Sequence, residues 1–401
     1  MRISTSQMYQ NATSTITTKQ SDLARIQNQL SSGKRIASLA DDPAGAANAA
    51  VLRSELAANG QFDQNRQIAQ QHLSYAENTL GAIGENLQSA RELLVSAGNG
   101  AYSDSDRKII AGQLREGLAT LIGLGNSADG QGSYLFGGFR EDTPPFVETA
   151  AAVNYVADDG TRMINVSRTR AIATGFNGAD VFMRIPNGNG VFVNTANAGN
   201  SGTGTIDGGR VTNAASLTGN NYEIRFQSGA GGTTYDVWDT TNNAAVSAGT
   251  PYTAPASIAL PGMSVNINGA PANGDKFAVV PSGNQDIFTT LRNAINLLDT
   301  PVNGNSTKVS NGLSAALTNM DQALAHVSDA RGTAGARLNE LDQLGNMGAV
   351  RDVDLKSTLS SVEDIDYAKT ISDFTVAQSG LDAALASYAK IMKTSLFDYL
   401  R

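Results

Sequence analysis

The chain has 401 residues, no Cys, and a formal net charge of −8 from 29 basic and 37 acidic residues. This balance argues against nucleic acid as a partner, because a phosphate-tracking surface needs a clustered excess of Lys and Arg. The lack of Cys excludes disulfides and thiolate metal sites. At this length we expect two or more domains.

The N-terminal twenty residues contain no apolar run of signal-peptide length. No stretch approaches the ~18 consecutive apolar residues of a membrane-spanning helix. We therefore expect no membrane insertion, and export without a cleaved signal peptide if the protein leaves the cell.

Both ends of the chain carry an apolar heptad pattern. The first runs through Tyr9, Ala12, Ile16, Lys19, Leu23, Ile26 and Leu30. The second runs through Ile371, Phe374, Gln378, Leu381, Leu385, Tyr388, Met392, Ser395 and Tyr399. These spacings predict two amphipathic helices of coiled-coil type whose stripes cover one another. Because two such helices alone are marginal, we expect neighbouring subunits to supply the rest of the core.

A charged break, "LSSGKRIASLADDPAGAANAA" at residues 30–50, follows the first helix. Gly33 is predicted to end that helix, and Asp41 or Asp42 to cap a new helix that starts at Pro43. Two adjacent carboxylates could bind a cation, but a helix cap in solvent is their commoner role. We expect a matching break near residues 345–366.

The predicted fold class is mainly α with an inserted antiparallel β domain. Helical periodicity continues from Pro43 to "GNG" at 98–100, restarts at a capping-box-like Ser103 and Asp106, and returns from Ile287 onward. Between about 130 and 283 it gives way to short alternating runs such as "NYEIRFQ". The predicted domains are a terminal coiled coil (1–42 and 362–401), a helical rod with a β-hairpin (43–145 and 284–361) and a β-rich outer domain (146–283).

No catalytic, cofactor or metal site is predicted. The chain has two His, His72 and His326, far apart and without an H-E-x-x-H motif. The Gly-rich stretch at 186–194 lacks the third Gly of a dinucleotide fingerprint, and "DDG" at 158–160 indicates a turn rather than a calcium loop. We do not expect an enzyme.

Several segments together resemble the bacterial flagellin superfamily, and within it the hook-associated proteins that adjoin the filament. They are "MRISTSQMYQNATSTI", "LSSGKRIASLADDPAGAANAA", "GQGSYLFGGFREDTPPF", "GAPANGDKFAVVPS" and "SLFDYLR". The resemblance implies a terminal coiled coil that orders on polymerisation, a helical rod with residues 133–138 in or near a hairpin, and an outward β domain. It also implies an axial structural subunit of the flagellum, outside the cell at the hook-filament junction and exported by the type III route.

The partners implied by this resemblance are further copies of the chain, the hook-side junction protein, flagellin, and an export chaperone that covers the C-terminal helix. We expect the chaperone to contact Phe374, Leu381, Leu385 and Tyr388. We expect Lys34 and Arg35 to pair with a neighbour's acids, with a solvated loop as the alternative. The full set of predicted interface residues is Tyr9, Ile16, Leu23, Ile26, Leu30, Lys34, Arg35, Asp41, Asp42, Ile371, Phe374, Leu381, Leu385, Tyr388, Met392 and Tyr399.

Three alternatives to a junction subunit stay open from the sequence. A flagellin that forms the filament itself differs from a junction subunit only at the level of motifs. A surface adhesin would use the β domain to bind a glycan or a host protein, although the 6% aromatic content offers little stacking surface for sugars. An enzyme within the middle region would need a catalytic set that the sequence does not display.

Overall fold

A computed structural model of the protein describes residues 5–130 and 132–393. The helices in these ranges are α1 (Thr5–Ser32), α2 (Pro43–Ala97), α3 (Asp104–Gly125), α4 (Ile287–Asp299), α5 (Ser306–Glu363) and α6 (Tyr367–Lys393). Strands occupy the region between α3 and α4. The predicted fold class, mainly α with an inserted antiparallel β domain, is confirmed.

Helix ends follow the predicted punctuation. Helix α1 ends before Gly33, whose φ of 69° suits glycine. Asp42 caps α2 at Pro43, because its Oδ1 accepts a hydrogen bond from the Gly45 amide at 2.9 Å. At α3, the Ser103 side chain accepts from the Asp106 amide and the Asp106 side chain accepts from the Ser103 amide. The three predicted starts and stops are therefore confirmed.

The predicted break near residues 345–366 is wrong over most of its length. Helix α5 continues through Gly345 to Glu363, and α6 begins at Tyr367. A single Gly inside a helix costs only about 1 kcal/mol, so it does not end a helix that packs along its length. The break consists of residues 364–366 alone.

The first strands are short. They are β1 (Phe146–Glu148), β2 (Val153–Tyr155), β3 (Met163–Asn165), β4 (Ala171–Ala173), β5 (Ile185–Pro186), β6 (Phe192–Ala196), β7 (Thr205–Ile206) and β8 (Arg210–Val211). The later ones are β9 (Tyr222–Gly229), β10 (Gly232–Asp239), β11 (Ala244–Pro251), β12 (Ala256–Leu260), β13 (Met263–Asn268), β14 (Lys276–Pro281) and β15 (Asn284–Gln285).

All strand pairs in the described residues are antiparallel. One five-stranded sheet has the order β11, β10, β9, β14, β6, so β11 and β6 form its two edges. A second sheet centres on β13, which pairs with β12, β7 and β8. The pairs β1 with β2, β3 with β4, and β5 with β15 are separate two-stranded ribbons.

The described chain forms two compact units. The terminal unit comprises the residues up to Gln64 and from Gln343 onward, and the central unit comprises Asn65–Asp342. In the terminal unit, α1 packs along α6, and the start of α2 packs along the end of α5. The latter contact includes an ion pair between Arg351 and Glu55 at 2.5 Å.

The central unit contains two apolar cores. One lies among α2 to α5 and includes an aromatic cluster of Phe136, Phe146, Phe182 and Phe288. The other lies within the sheets, where the alternating Tyr222, Ile224 and Phe226 of β9 are all buried as their period of two predicts.

The extent of the β domain depends on which core each strand joins. Phe146, Val153 and Phe182 belong to the helical core, although the predicted outer domain begins at 146. The sheet core begins at Phe192. The three-domain division stays a prediction, and this packing favours an outer boundary near residue 186.

Candidate assembly interface

Helix α1 presents a single stripe of low exposure. Within the heptad pattern, Ile26 is buried, and the other members are half-buried, namely Tyr9, Ala12, Ile16, Lys19, Leu23 and Leu30. Most residues between them are exposed. The sequence pattern therefore identifies the face of α1 that packs within the chain.

Helix α6 follows its predicted stripe only in part. Phe374, Leu381 and Tyr388 are half-buried, but Ile371 and Leu385 are 54% and 42% exposed. The half-buried seam instead includes Ala377 and Ala384, one residue before Gln378 and Leu385. Small side chains let two helices approach closely, and this seam also keeps the Gln378 amide in solvent. The expectation that Ile371 and Leu385 would be covered by α1 is therefore wrong.

Two predicted interface residues cannot be placed. Met392 lies within α6, but its side chain is not among those described, and Tyr399 lies outside the described residues. Their expected contacts stay a prediction.

Several exposed apolar side chains of the terminal unit are not among the interface residues that the sequence predicts. Met347, Val350 and Val353 of α5 and Val51 of α2 are all more than three-fifths exposed. Tyr367 and Val376 of α6 are exposed as well. Apolar side chains at these positions are available for contacts with another protein. The spacing of three residues between Met347, Val350 and Val353 is the sequence feature that could have drawn attention to them.

A set of contacts, called here the connector clasp, joins residues 33–35 to residues 362–365. The Gly33 carbonyl accepts a hydrogen bond from the Ile365 amide at 3.2 Å, and the Arg35 amide donates to the Glu363 carbonyl at 2.6 Å. Arg35 also donates through Nη2 to the Val362 carbonyl at 2.7 Å. The break after α1 is thus fixed against the break before α6.

Glu363 is the charged centre of the connector clasp. Its side chain is only 5% exposed, with Oε2 2.9 Å from Lys34 Nζ and Oε1 2.5 Å from an Nη2 of Arg53. The hydrogen bond from Lys34 is the main reason that the pKa of Glu363 is lowered, and Arg53 adds to the effect against the opposing influence of burial. A buried carboxylate between two cations stays ionised.

The acid pair of the break has local structural roles. Asp41 Oδ2 accepts hydrogen bonds from the amides of Ala37 and Ser38, at 3.1 and 2.7 Å. The Ser38 amide is the largest cause of the lowered pKa of Asp41, and the Gly45 amide is the largest cause of the lowered pKa of Asp42. Asp41 therefore shapes the turn, and Asp42 caps α2.

Lys34 and Arg35, which were expected to meet a neighbour's acids, find acids in their own chain. Lys34 pairs with Glu363, and Arg35 lies 3.3 Å from Asp42. An acid brought close by the fold competes with any acid of another subunit. Contacts of these two side chains with a neighbour stay a prediction.

The remaining polar clusters have structural explanations. His72 Nδ1 lies 3.7 Å from Asp129 Oδ2, and His326 Nε2 lies 2.6 Å from the Asp180 carbonyl. Burial raises the pKa of Tyr155 to about 12, and its hydroxyl donates to backbone carbonyls. Over residues 5–130 and 132–393, no cluster of three potential metal-ligating His or carboxylate side chains occurs. None of the helices in these ranges has the length and apolar character needed to cross a bilayer.

Comparison with known proteins places this architecture. Residues 3–141 match the family described as the bacterial flagellin N-terminal helical region, and residues 194–281 match the D2-like domain of flagellar hook-associated protein 1. Paired terminal helices with an inserted β domain thus define a protein of the flagellin superfamily. The chain belongs, within that superfamily, to the family of flagellar hook-associated protein 3, also called FlgL.

Relatives that match over most of their length carry this assignment. Flagellar hook-associated protein 3 of Salmonella typhimurium is 26% identical over 404 residues, covering 100% of both chains. The crystal structure of Xanthomonas campestris FlgL is 33% identical with a TM-score of 0.70, covering 77% of this chain and 99% of that one. The flagellar junction protein FlgL of Legionella pneumophila is 28% identical with a TM-score of 0.72, covering 80% and 100%.

Flagellin itself matches a smaller part of the chain. Phase 1 flagellin of Salmonella naestved is 39% identical over 116 residues, which is 28% of this chain and 22% of that protein.

Proposed function

We propose that this protein is a structural subunit of the bacterial flagellum that joins the hook to the flagellin filament. The observation that carries the proposal is a full-length match to hook-associated protein 3, whereas flagellin matches over only 28% of the chain. The names of the relatives are those of flagellar proteins, and none denotes an enzyme. The role that we propose is therefore a mechanical one.

Assembly with further copies of the chain is supported by the exposed apolar side chains of the terminal unit. Burying apolar area yields roughly 25 cal/mol per Å². Contacts that cover Met347, Val350, Ile371 and Leu385 would therefore each contribute on the order of 1 kcal/mol. Because every copy carries the same surface, these contributions repeat around a closed assembly.

The connector clasp supports a defined geometry of the terminal unit within that assembly. Glu363 holds Lys34 and Arg53 at once, so it ties the end of α5 to the break after α1 and to the start of α2. A subunit at a junction transmits torque between two different lattices, and a fixed connection serves that role better than a flexible loop.

The proposed subunit has partners on both sides of the junction and a chaperone before export. One face of the assembled copies accepts the hook-side junction protein, and the other templates the first flagellin subunits. A chaperone covers α6 before type III export to the cell exterior. Since Phe374, Leu381 and Tyr388 are half-buried in the chain, the chaperone would have to compete with α1 for that face, whereas Leu385 is already accessible.

Deletion of the gene tests the function. The expected result is bare hooks in electron micrographs together with flagellin released into the medium, because export continues while the filament has no base. Hooks without filaments and without external flagellin would instead identify the filament subunit. Normal filaments would overturn the flagellar role and favour an adhesin.

A further inference from the structure

The five-stranded sheet has two uncharged edges. Its edge strands are β6 and β11. No charged residue occurs between Arg184 and Asp207, the stretch that holds β6, or between Asp239 and Asp275, the stretch that holds β11. Proteins commonly protect exposed sheet edges from pairing with other chains by placing charged side chains on them. Neither edge here has that protection.

The β6 edge offers backbone groups for pairing. Toward β14, Val191 accepts from the Ser282 amide and Asn197 donates to the Lys276 carbonyl. Because bonding alternates along a strand, the amides and carbonyls of Asn194 and Ala196 point to the opposite side. Among the described residues, no strand pairs with β6 on that side.

A cavity of about 430 Å³ runs beside this edge. Its walls include Val193 to Asn197 of the β6 region and the Asn311, Ala315 and Thr318 side of α5. The lining consists of amides, hydroxyls and small side chains, with Lys308 and Asp207 as its charged members. The Asp207 carboxylate is already engaged by the Gly209 and Asn266 amides. Such a lining suits an uncharged backbone with small side chains.

Strand β11, at the other edge of the same sheet, is an uncharged strand with small side chains. Strand β11 reads AAVSAGTP, and most of its residues are exposed. In the described residues it pairs with β10 alone. A strand with small side chains can approach β6 without steric conflict from its own side groups.

We propose that β11 of one copy adds to the β6 edge of the next copy, so that the five-stranded sheet continues from subunit to subunit. The inference deepens the proposed function and rests on it, because a contact between two different edges is head-to-tail and builds a ring when its rotation closes. Main-chain hydrogen bonds supply the attraction, and the small side chains permit the fit.

Cross-linking of the full-length chain tests this pairing, because the native sequence contains no Cys. Thr195→Cys and Ala245→Cys place thiols at exposed positions of β6 and β11. Within one copy these strands are separated by four strand spacings, roughly 19 Å. A bismaleimide shorter than that separation joins the two positions only between copies, and its length accommodates either strand direction.

The expected result with the two single variants mixed is heterodimers in at least tenfold excess over either homodimer, and the double variant should give chains of three or more copies. Adding Val193→Lys to the Thr195→Cys protein should abolish the heterodimer. Gly231→Lys, which adds the same charge at the exposed turn between β9 and β10, should leave the yield unchanged. Fluorescence of Trp238, the only Trp, shows that each variant keeps its sheet.

The proposal would be overturned if only homodimers formed. It would also be overturned if, at the highest soluble concentration, the yield of cross-linked product did not exceed the yield obtained in denaturant. The purified-protein readout is independent of the deletion phenotype. Bare hooks with released flagellin but no heterodimer would therefore refute the strand pairing and leave the junction function standing.

Discussion

Lys34 Nζ lies 2.9 Å from Glu363 Oε2, and this ion pair joins residues 329 positions apart in the chain. Arg53 holds the other oxygen of the same carboxylate. The charged break after α1, which contains no catalytic or ligand-binding pattern, is therefore explained by a structural contact with the break before α6.

Glu363→Gln should lower the free energy of unfolding of the terminal helices by about 1–3 kcal/mol, because one buried acceptor of two charged donors loses its charge. Thermal unfolding followed by helical circular dichroism measures the change. Glu116→Gln, an exposed Glu on α3, is the matched control and should stay within about 0.5 kcal/mol of the native protein. Equal melting of the two variants would show that the ion pairs contribute nothing net.

The contribution of Glu363 should depend on pH in a defined direction. Its pKa is lowered in the folded chain from its usual 4.5. The unfolded chain therefore takes up the proton first as the pH falls, so the stabilisation is complete above pH 4.5 and is lost as the pH drops through the lowered folded value. The stability difference between the native protein and Glu363→Gln should be constant from pH 6 to 8 and shrink below about 4.5. A difference that grows on acidification would contradict this assignment.

Gly33→Ala should destabilise the terminal unit by about 1–2 kcal/mol, because an L residue is strained at its positive φ. A Cβ at this position would also lie 2.9 Å from the Tyr367 hydroxyl. Gly60 of α2 provides the control, since a Cβ there meets nothing within 4 Å. Gly60→Ala should stabilise the helix by about 0.5–1 kcal/mol. Chemical denaturation of both variants measures the two changes in the free energy of unfolding. Two changes of the same sign would refute the explanation by positive φ.

The sequence predicts the helix boundaries well where a local cause exists. Gly33, Pro43 and the Ser103 capping box act on their own neighbours, and the structure confirms each. The seam of α6 depends on which face of a second helix it meets, and Ala377 and Ala384 take the places that the apolar pattern assigns to Gln378 and Leu385. The predicted and the observed stripes share Phe374, Leu381 and Tyr388, and the sequence alone does not decide between them at the remaining positions.

The connector clasp could not be predicted from the sequence. Lys34 and Glu363 are far apart in the chain, and neither has a special local pattern. The sequence predicts for Lys34 a contact with a neighbouring subunit, which stays a prediction, whereas its contact with Glu363 depends on the long-range pairing of the terminal helices. The same limit applies to the aromatic cluster, where Phe146 joins the helical core from a strand.

Phe146→Ala should therefore unfold the helical core rather than the sheets. The Phe146 ring centroid lies 4.8 Å from that of Phe182 and 5.3 Å from that of Phe288, and its side chain is buried. We expect the free energy of unfolding, followed by helical circular dichroism, to fall by about 3–5 kcal/mol. Phe226→Ala, in the sheet core, should instead lower the unfolding transition reported by Trp238 fluorescence. If Phe146→Ala lowered only the Trp238 transition, the outer boundary near residue 186 would be wrong.

Leu385→Asp should block assembly and chaperone binding while leaving the fold intact. Leu385 is 42% exposed on α6, so a carboxylate there stays in solvent within the free chain but would be buried without a partner in an apolar contact between subunits. Ser387→Asp adds the same charge at an exposed polar position of α6 and should preserve filaments.

Complementation of the deletion strain, with filaments counted by electron microscopy, measures assembly, and binding of the purified chaperone measures the other contact. Trp238 fluorescence should match the native protein in both variants. Filaments retained with Leu385→Asp would remove this residue from the interface, and filaments lost with both variants would show that added negative charge, rather than the apolar contact, is responsible.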